Sequence, residues 1–304
     1  MKCNGKKRGL AALLALCLLT GCAAQTVQES VPAEEPQAEQ TEQSNTSAVA
    51  DASRMTTVEN VGSEGMTPVS AAELLDGVYN IKVESSSSMF KIADCELTVG
   101  GDAMMAKLIM SSDSYGYLYL GTAEQAAAAD AADYIAPVVE NGVGTFVLPL
   151  AALDQQIDCA AWSRSKELWY DRTLVFRSDS LPLEAFETLT TAESLGLADG
   201  PYVCDVTLAG GSGKASVDEQ AFLLVKDGTV TAQITWSSAN YDYMLVDGVR
   251  YDAEIGNGHS VFTIPVAAFD RPLPVVADTT AMSQPYEIEY TLTFDSATLQ
   301  THQW

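Results

Sequence analysis

The chain has only two histidines, His259 and His302, and the second stands beside the C-terminus. Neither a Ser-His-Asp relay nor a zinc set can be assembled from so few. Basic residues are scarce as well: 16 Lys and Arg face 41 Asp and Glu, for a net charge of −25. Nucleic acid is thereby excluded as a partner, because its binding rests on neutralising phosphates. The acidic excess suits solubility and self-repulsion at a cell surface. A cation held by clustered carboxylates is the other reading. Long apolar runs are missing too. Leu10–Leu19 is the apolar stretch near the start, and at about ten residues it is half of what a helix needs to span a bilayer.

Two motifs resemble catalytic ones and lack their essential parts. Gly210-Gly211-Ser212-Gly213-Lys214 has Leu208 where a phosphate loop needs Gly, and Ala215 where it needs Ser or Thr. It reads as a flexible hairpin tip. Ser163-Arg164-Ser165-Lys166 has the Ser-x-x-Lys spacing of acylating enzymes, but no Lys-Thr-Gly follows it. The chain is read as a non-enzyme.

What is present begins with a targeting segment. Lys2, Lys6, Lys7 and Arg8 precede the short apolar run, which is the layout of a secretory signal over residues 1–21. The run closes in Leu19-Thr20-Gly21-Cys22, which resembles the bacterial lipobox. That resemblance implies diacylation of Cys22 and a lipid anchor at the extracytoplasmic face of the cell membrane. Residues 22–66 are rich in Gln, Glu, Ser, Thr, Ala and Pro and have no aromatics. Such a segment buries too little apolar surface to offset its chain entropy, so it reads as a disordered tether. As a random coil it spans about 40 Å, and fully stretched about 150 Å.

Few cysteines remain after processing. Cys3 and Cys17 leave with the signal and Cys22 is committed to lipid, which leaves Cys95, Cys159 and Cys204. One disulfide at most can form within a molecule. Cys95 and Cys159 could pair in this compartment, but buried free thiols are the expectation.

The rest of the chain is a duplication. Phe146-Val147-Leu148-Pro149-Leu150-Ala151-Ala152-Leu153-Asp154 aligns with Phe262-Thr263-Ile264-Pro265-Val266-Ala267-Ala268-Phe269-Asp270. Ser111–Tyr117 aligns with Ser237–Tyr243, and Arg172–Phe176 with Tyr290–Phe294. Two domains are expected, over 67–182 and 188–304. Each opens with a Ser/Thr-x-x-Glu capping box, at Ser70–Glu73 and at Thr190–Glu193. Asp76-Gly77 and Asp199-Gly200 then turn the chain. Strand-like runs follow at Tyr79–Val83, Glu96–Val99 and Ala103–Met110, answered by Tyr202–Leu208, Ala221–Val225 and Val230–Trp236. Asp227-Gly228 is a hairpin signal. Short strands with regular turns predict two tandem immunoglobulin-like β-sandwiches, an all-β fold. Pro149 and Pro265 predict edge positions. From Tyr115 to Phe146 the first copy takes 31 steps, against 21 from Tyr241 to Phe262. The extra residues, Thr122–Ile135, are Ala-rich and helical in character, either a decorated loop or a docking helix.

The copies part at their last strand. Tyr286-Glu287-Ile288-Glu289-Tyr290 leads straight into a strand, and the first copy has Leu168 and Arg172 at the two tyrosine positions. Together with Asp199-Gly200-Pro201-Tyr202, Val225-Lys226-Asp227-Gly228, Ser237–Tyr241 and Phe262–Val266, this order resembles the NEAT (near-iron transporter) family of cell-surface sandwiches. The resemblance implies haem as cofactor, with Tyr286 as the axial iron ligand and Tyr290 as its hydrogen-bonding supporter. It implies a short helical lip at Ser237–Tyr241, with Ser237 or Ser238 meeting a propionate. Tyr241, Tyr243 and Met244 would line the distal side. It also implies delivery of haem, or another iron compound, to a membrane transporter. Read from the residues alone, Tyr286, Ile288, Tyr290, Leu292 and Phe294 alternate on one face, which is also the pattern of plain core. Trp162, Trp169 and Tyr170 are core or an aromatic surface. The alternative function is a non-catalytic envelope module that binds a protein or glycan without cofactor.

Overall fold

The computed structural model describes residues 48–54, 61–62, 65–282 and 284–302. The signal segment, Cys22 and most of the expected tether lie outside the described residues. The chain is an all-β sandwich protein. In the first copy the strands are β1 (Gly77–Asn80), β2 (Val83–Ser85), β3 (Ile92–Gly100), β4 (Ala103–Met110), β5 (Tyr115–Leu120), β6 (Val138–Glu140), β7 (Val143–Leu150), β8 (Ile157–Ser163) and β9 (Leu168–Phe176). One short helix, α1 (Ala123–Ala128), follows β5. In the second copy they are β10 (Gly200–Gly210), β11 (Gln220–Lys226), β12 (Thr229–Trp236), β13 (Tyr241–Val246), β14 (Val249–Asp252), β15 (Glu254–Gly256), β16 (His259–Val266), β17 (Leu273–Thr279), β18 (Tyr286–Phe294) and β19 (Gln300–Thr301).

The first copy packs the sheet β1-β3-β4-β7-β6 against the sheet β2-β9-β8-β5. In the second copy the same two layers are joined into one ten-stranded sheet, because β10 pairs with β11 near its start and with β18 near its end. The first copy divides that single strand into β1 and β2. Each copy buries its own core between the layers. One is built around Leu97, Leu108, Phe146, Leu148 and Phe176, the other around Leu223, Trp236, Phe262, Ile264 and Phe294. These residues sit at alternate positions of their strands, as a half-buried strand requires. The first core reaches Phe186, and the second begins at Ala192.

The duplicated sequence also duplicates its polar clamps. Asp76 Oδ1 accepts the Gly101 N–H at 2.8 Å, and Asp199 Oδ1 accepts the Asp227 N–H at 2.9 Å. Asp76 thereby holds the β3–β4 hairpin, and Asp199 the β11–β12 hairpin. Asp227 and Gly228 have φ of 51° and 74°, the double left-handed pair of a tight hairpin turn. Asp154 and Asp270 both accept from a serine after the last strand, Ser178 and Ser296.

Some details depart from expectation. The capping box at Ser70 is present with Glu73. In the second copy the reciprocal bonds join Thr191 and Ser194 instead of Thr190 and Glu193, because Thr190 is engaged in a bridge to Phe269. Pro149 and Pro265 lie in β7 and β16, which are interior in sheet order. The neighbours β6 and β15 stop at Thr145 and Val261, so each proline still sits where one side of its strand is unpaired. Cys95, Cys159 and Cys204 are free and buried, and burial pushes each thiol up to about 12.

Residues 48–50 add a short segment to the first copy. Trp169 N donates to Ala48 O and Ala50 N donates to Trp169 O, both at 2.8 Å, so Val49 runs parallel to the free edge of β9.

Candidate functional site

The candidate site is the end of the second sandwich where β12 leaves, β13 enters and β18 begins. Residues 237–240 connect β12 to β13 through bends, with no helix. The helical lip is therefore replaced by an extended loop, whose polar groups are taken up locally. Ser237 N donates to Ser216 O, Asn240 N to Ser238 Oγ, and Ser260 N to Ser238 O. Thr280 N donates to Asn240 O at 2.7 Å. Thr279 is the cross-strand partner of Tyr286, so the serine loop and Tyr286 share one end of the molecule.

The seven expected residues do not form one surface. Tyr286 is 57% exposed, whereas Tyr290 is 4% exposed and stands in the core. The difference comes from position along β18. Tyr290 faces the packed layer, and Tyr286 has run past its end. The Tyr290 hydroxyl lies 3.2 Å from the Tyr241 hydroxyl, so its hydrogen bond goes across the sandwich instead of along the strand to Tyr286. Trp236 closes this group, with its ring centroid 4.3 Å from that of Tyr241 and 5.2 Å from that of Tyr290. The indole Nε1–H of Trp236 is buried without a partner. Gly211 leaves room for the arrangement, since a Cβ there would lie 2.5 Å from the Tyr290 ring at a φ of +59°.

A bulge separates the remaining aromatics. The pairing of β13 with β17 shifts register between Tyr241 and Tyr243, which turns Tyr241 and Met244 inward and Tyr243 outward. Met244 is fully buried core. Tyr243 lies on the opposite face, where its hydroxyl donates to Glu287 Oε1 at 2.7 Å. That bond pushes the phenol up to about 12. Burial, followed by the bond to Tyr241, raises Tyr290 as well. Both phenols are therefore held in their neutral forms. Ser260, which no sequence motif singles out, anchors the bulge. Its Oγ donates to Tyr241 O at 2.7 Å and accepts from Tyr241 N at 3.2 Å.

An exposed phenol offers a hard oxygen donor of the kind that ligates Fe(III). Tyr286 fits that role by exposure, and the hydroxyls of the 237–240 loop fit polar contacts beside it. The supporting bond from Tyr290 does not fit, because Tyr241 holds that hydroxyl. Two concavities of about 520 and 940 Å³ lie where the copies meet, and Tyr286 lines neither of them. The larger reaches the Tyr290 side of β18 through Gly210 and Gly211. No family model matches the chain, and no curated protein matches it in sequence. The fold defines its class, an all-β sandwich built on an internal repeat.

Proposed function

We propose that the chain is a cell-surface lipoprotein whose second copy binds haem, or another iron compound, and passes it to a membrane transporter. The observation that carries this reading is the exposed Tyr286 phenol on a strand whose next inward tyrosine is locked by Tyr241 and Trp236. The locked group makes an inner floor under β18, and Tyr286 is the exposed donor further along the same strand. In this reading Tyr286 would hold the iron and Ser237 or Ser238 the propionates. Bound haem would supply the iron centre that a phenolate ligates.

Hemin titration of the full chain tests it. The expected result is a saturable Soret shift that Tyr286→Phe abolishes and Tyr290→Phe weakens by loosening the floor. An unshifted Soret band, or a shift that Tyr286→Phe leaves intact, overturns the assignment. The lipid anchor is tested separately. Cys22→Ala is expected to release the chain from the membrane fraction and to end fatty-acid labelling.

A second reading has its own support. The first copy carries a dense aromatic face and already accepts an extended segment at Trp169, which suits an envelope module that binds protein or glycan without cofactor. A chain that fails to bind hemin yet captures such a partner follows this second reading.

A further inference from the structure

The outer face of the sheet β14-β13-β17-β18 holds a group of charges that the proposed haem site does not use. One cross-strand rung carries Asp252, Tyr243, Asp278 and Glu287, each paired with the next. Residues directly opposite on adjacent strands share a face, so all four side chains stand together. The bulge adds Asp242 to the rung. Arg250 supplies the cation on this face: its guanidinium lies 3.8 Å from the Tyr243 ring centroid and donates to Asp252 Oδ1 at 2.7 Å. Glu287 is occupied by the Tyr243 hydroxyl. Asp278 is left over. It is 2% exposed, and its Oδ2 has no hydrogen-bond partner. A buried acceptor without a donor carries its full desolvation cost. Such a group calls for a missing partner.

The first copy shows what that partner's position is. Tyr117, Trp162 and Trp169 occupy the rung that Tyr243, Asp278 and Glu287 occupy in the second. There the face is covered by the insertion: Ala123 and Ala126 of α1 pack on Trp169, with Tyr134, Trp162 and Val49 around it. An apolar face is covered by apolar chain. The second copy has the hairpin β13–β14 in place of the insertion, and its face is acidic. Among the described residues, no three His, Cys, Asp or Glu side chains are arranged to hold a metal ion. The group suited to Asp278 is therefore an organic cation with several N–H donors.

We propose that this outer face docks a protein partner through a Lys or Arg side chain received by Asp278 and Asp242, in the place that α1 fills on the first copy. Arg250 stacked on Tyr243 shows that the face accommodates a guanidinium, and its commitment to Asp252 leaves the deeper carboxyl for the partner. Burial, and then the closeness of the Asp242 carboxyl, which offers no donor unless one of the two is protonated, raise the Asp278 carboxyl above its usual range. Asp242, Tyr243, Glu287, Asp252 and Arg250 are the polar and charged groups that face it. Protons and the incoming cation compete for the same oxygens, so docking weakens as pH falls. The proposal does not depend on the haem reading.

Calorimetric titration of the full chain with capped pentalysine, at low salt and pH 8, is the test. The expected result is saturable binding that weakens at least tenfold in Asp242→Asn/Asp278→Asn and falls as the pH is lowered to 5. Glu124→Gln, an exposed acid on the first copy, is expected to change affinity less than twofold. If the double variant does not fold, Asp242→Asn alone is expected to lose at least threefold. Absence of binding, equal losses in the Glu124 control, or a flat pH profile overturns the proposal, since general attraction to an acidic protein then accounts for the data.

Discussion

The two copies share an inner design and differ on one outer face. In both, Asp-Gly turns clamp the first hairpin, a left-handed Asp caps the end of the last strand, and alternate residues fill a core between two layers. On the outer face the first copy has Tyr117, Trp162 and Trp169 under a helical insertion, and the second has Tyr243, a buried Asp278 and an exposed Glu287 with no such insertion over them. The inward ends differ as well. Arg172 stands where the second copy has Tyr290, and its Nε is buried without a partner. Duplication kept the frame, and substitution at a few rungs made one copy apolar and closed and the other polar and open.

The comparison can be broken most forcefully at the core. Trp236 is fully buried, and Met110 occupies its place in the first copy. Trp236→Ala is expected to cost about 3–5 kcal/mol. Trp236→Met, which imitates the first copy, should cost less, because it keeps more volume and removes the unpartnered indole N–H. Urea unfolding of the full chain, followed by tyrosine and tryptophan fluorescence, measures both. If the two variants are equally stable, Trp236 is not a packing anchor.

A smaller effect separates the paired caps. Asp154 is 5% exposed, bonds Ser178 and lies 3.9 Å from Arg177. Its counterpart Asp270 is exposed and holds Ser296. Asp154→Ala is expected to cost about 2–3 kcal/mol, since it strands buried donors, and Asp270→Ala about 1 kcal/mol. Burial raises the Asp154 carboxyl above its ordinary value. The folded state thus binds its proton more tightly than the unfolded state does. The stability tied to this proton is greatest in acid and is lost as pH rises through the raised value. Asp154→Asn should flatten that slope in thermal melts taken between pH 3 and 7. An unchanged slope would show that other groups set it.

The smallest effect lies between the copies. Lys82 and Glu289 approach to 3.1 Å, but both side chains are largely exposed. Lys82→Glu is expected to change stability by about 0.5 kcal/mol or less, because water and salt screen such pairs. A loss several times larger would mean that this contact fixes the two copies together.

The sandwich architecture was readable because the strands alternate and the turns carry Asp-Gly. The insertion was readable too: Thr122 caps α1, with Gln125 completing the box. The candidate site was less so. Tyr-x-x-x-Tyr marks two residues on one strand face, but not where the opposing layer ends, and that boundary makes Tyr290 core and Tyr286 surface. The bulge at Asp242 is one residue of extra chain, invisible to alternation, and it sends Tyr243 away from Tyr241. Ser260 and Asp278 matter through partners distant in sequence, so neither stood out. The lipobox and the tether up to residue 47 lie outside the described residues, whereas residues 48–50 of the expected tether bond to β9.

The bonding of Ala48 and Ala50 to Trp169 has a mechanical consequence. Among the described residues, these two hydrogen bonds are the first that tension from the N-terminal side would load, ahead of any strand of either core. They act as a weak link in series with strong sheets. A tug would free residues 48–50 before it could disturb the sandwich, and the same step would uncover the edge of β9. Release of residues 48–50 and exposure of that edge are thus coupled by pulling.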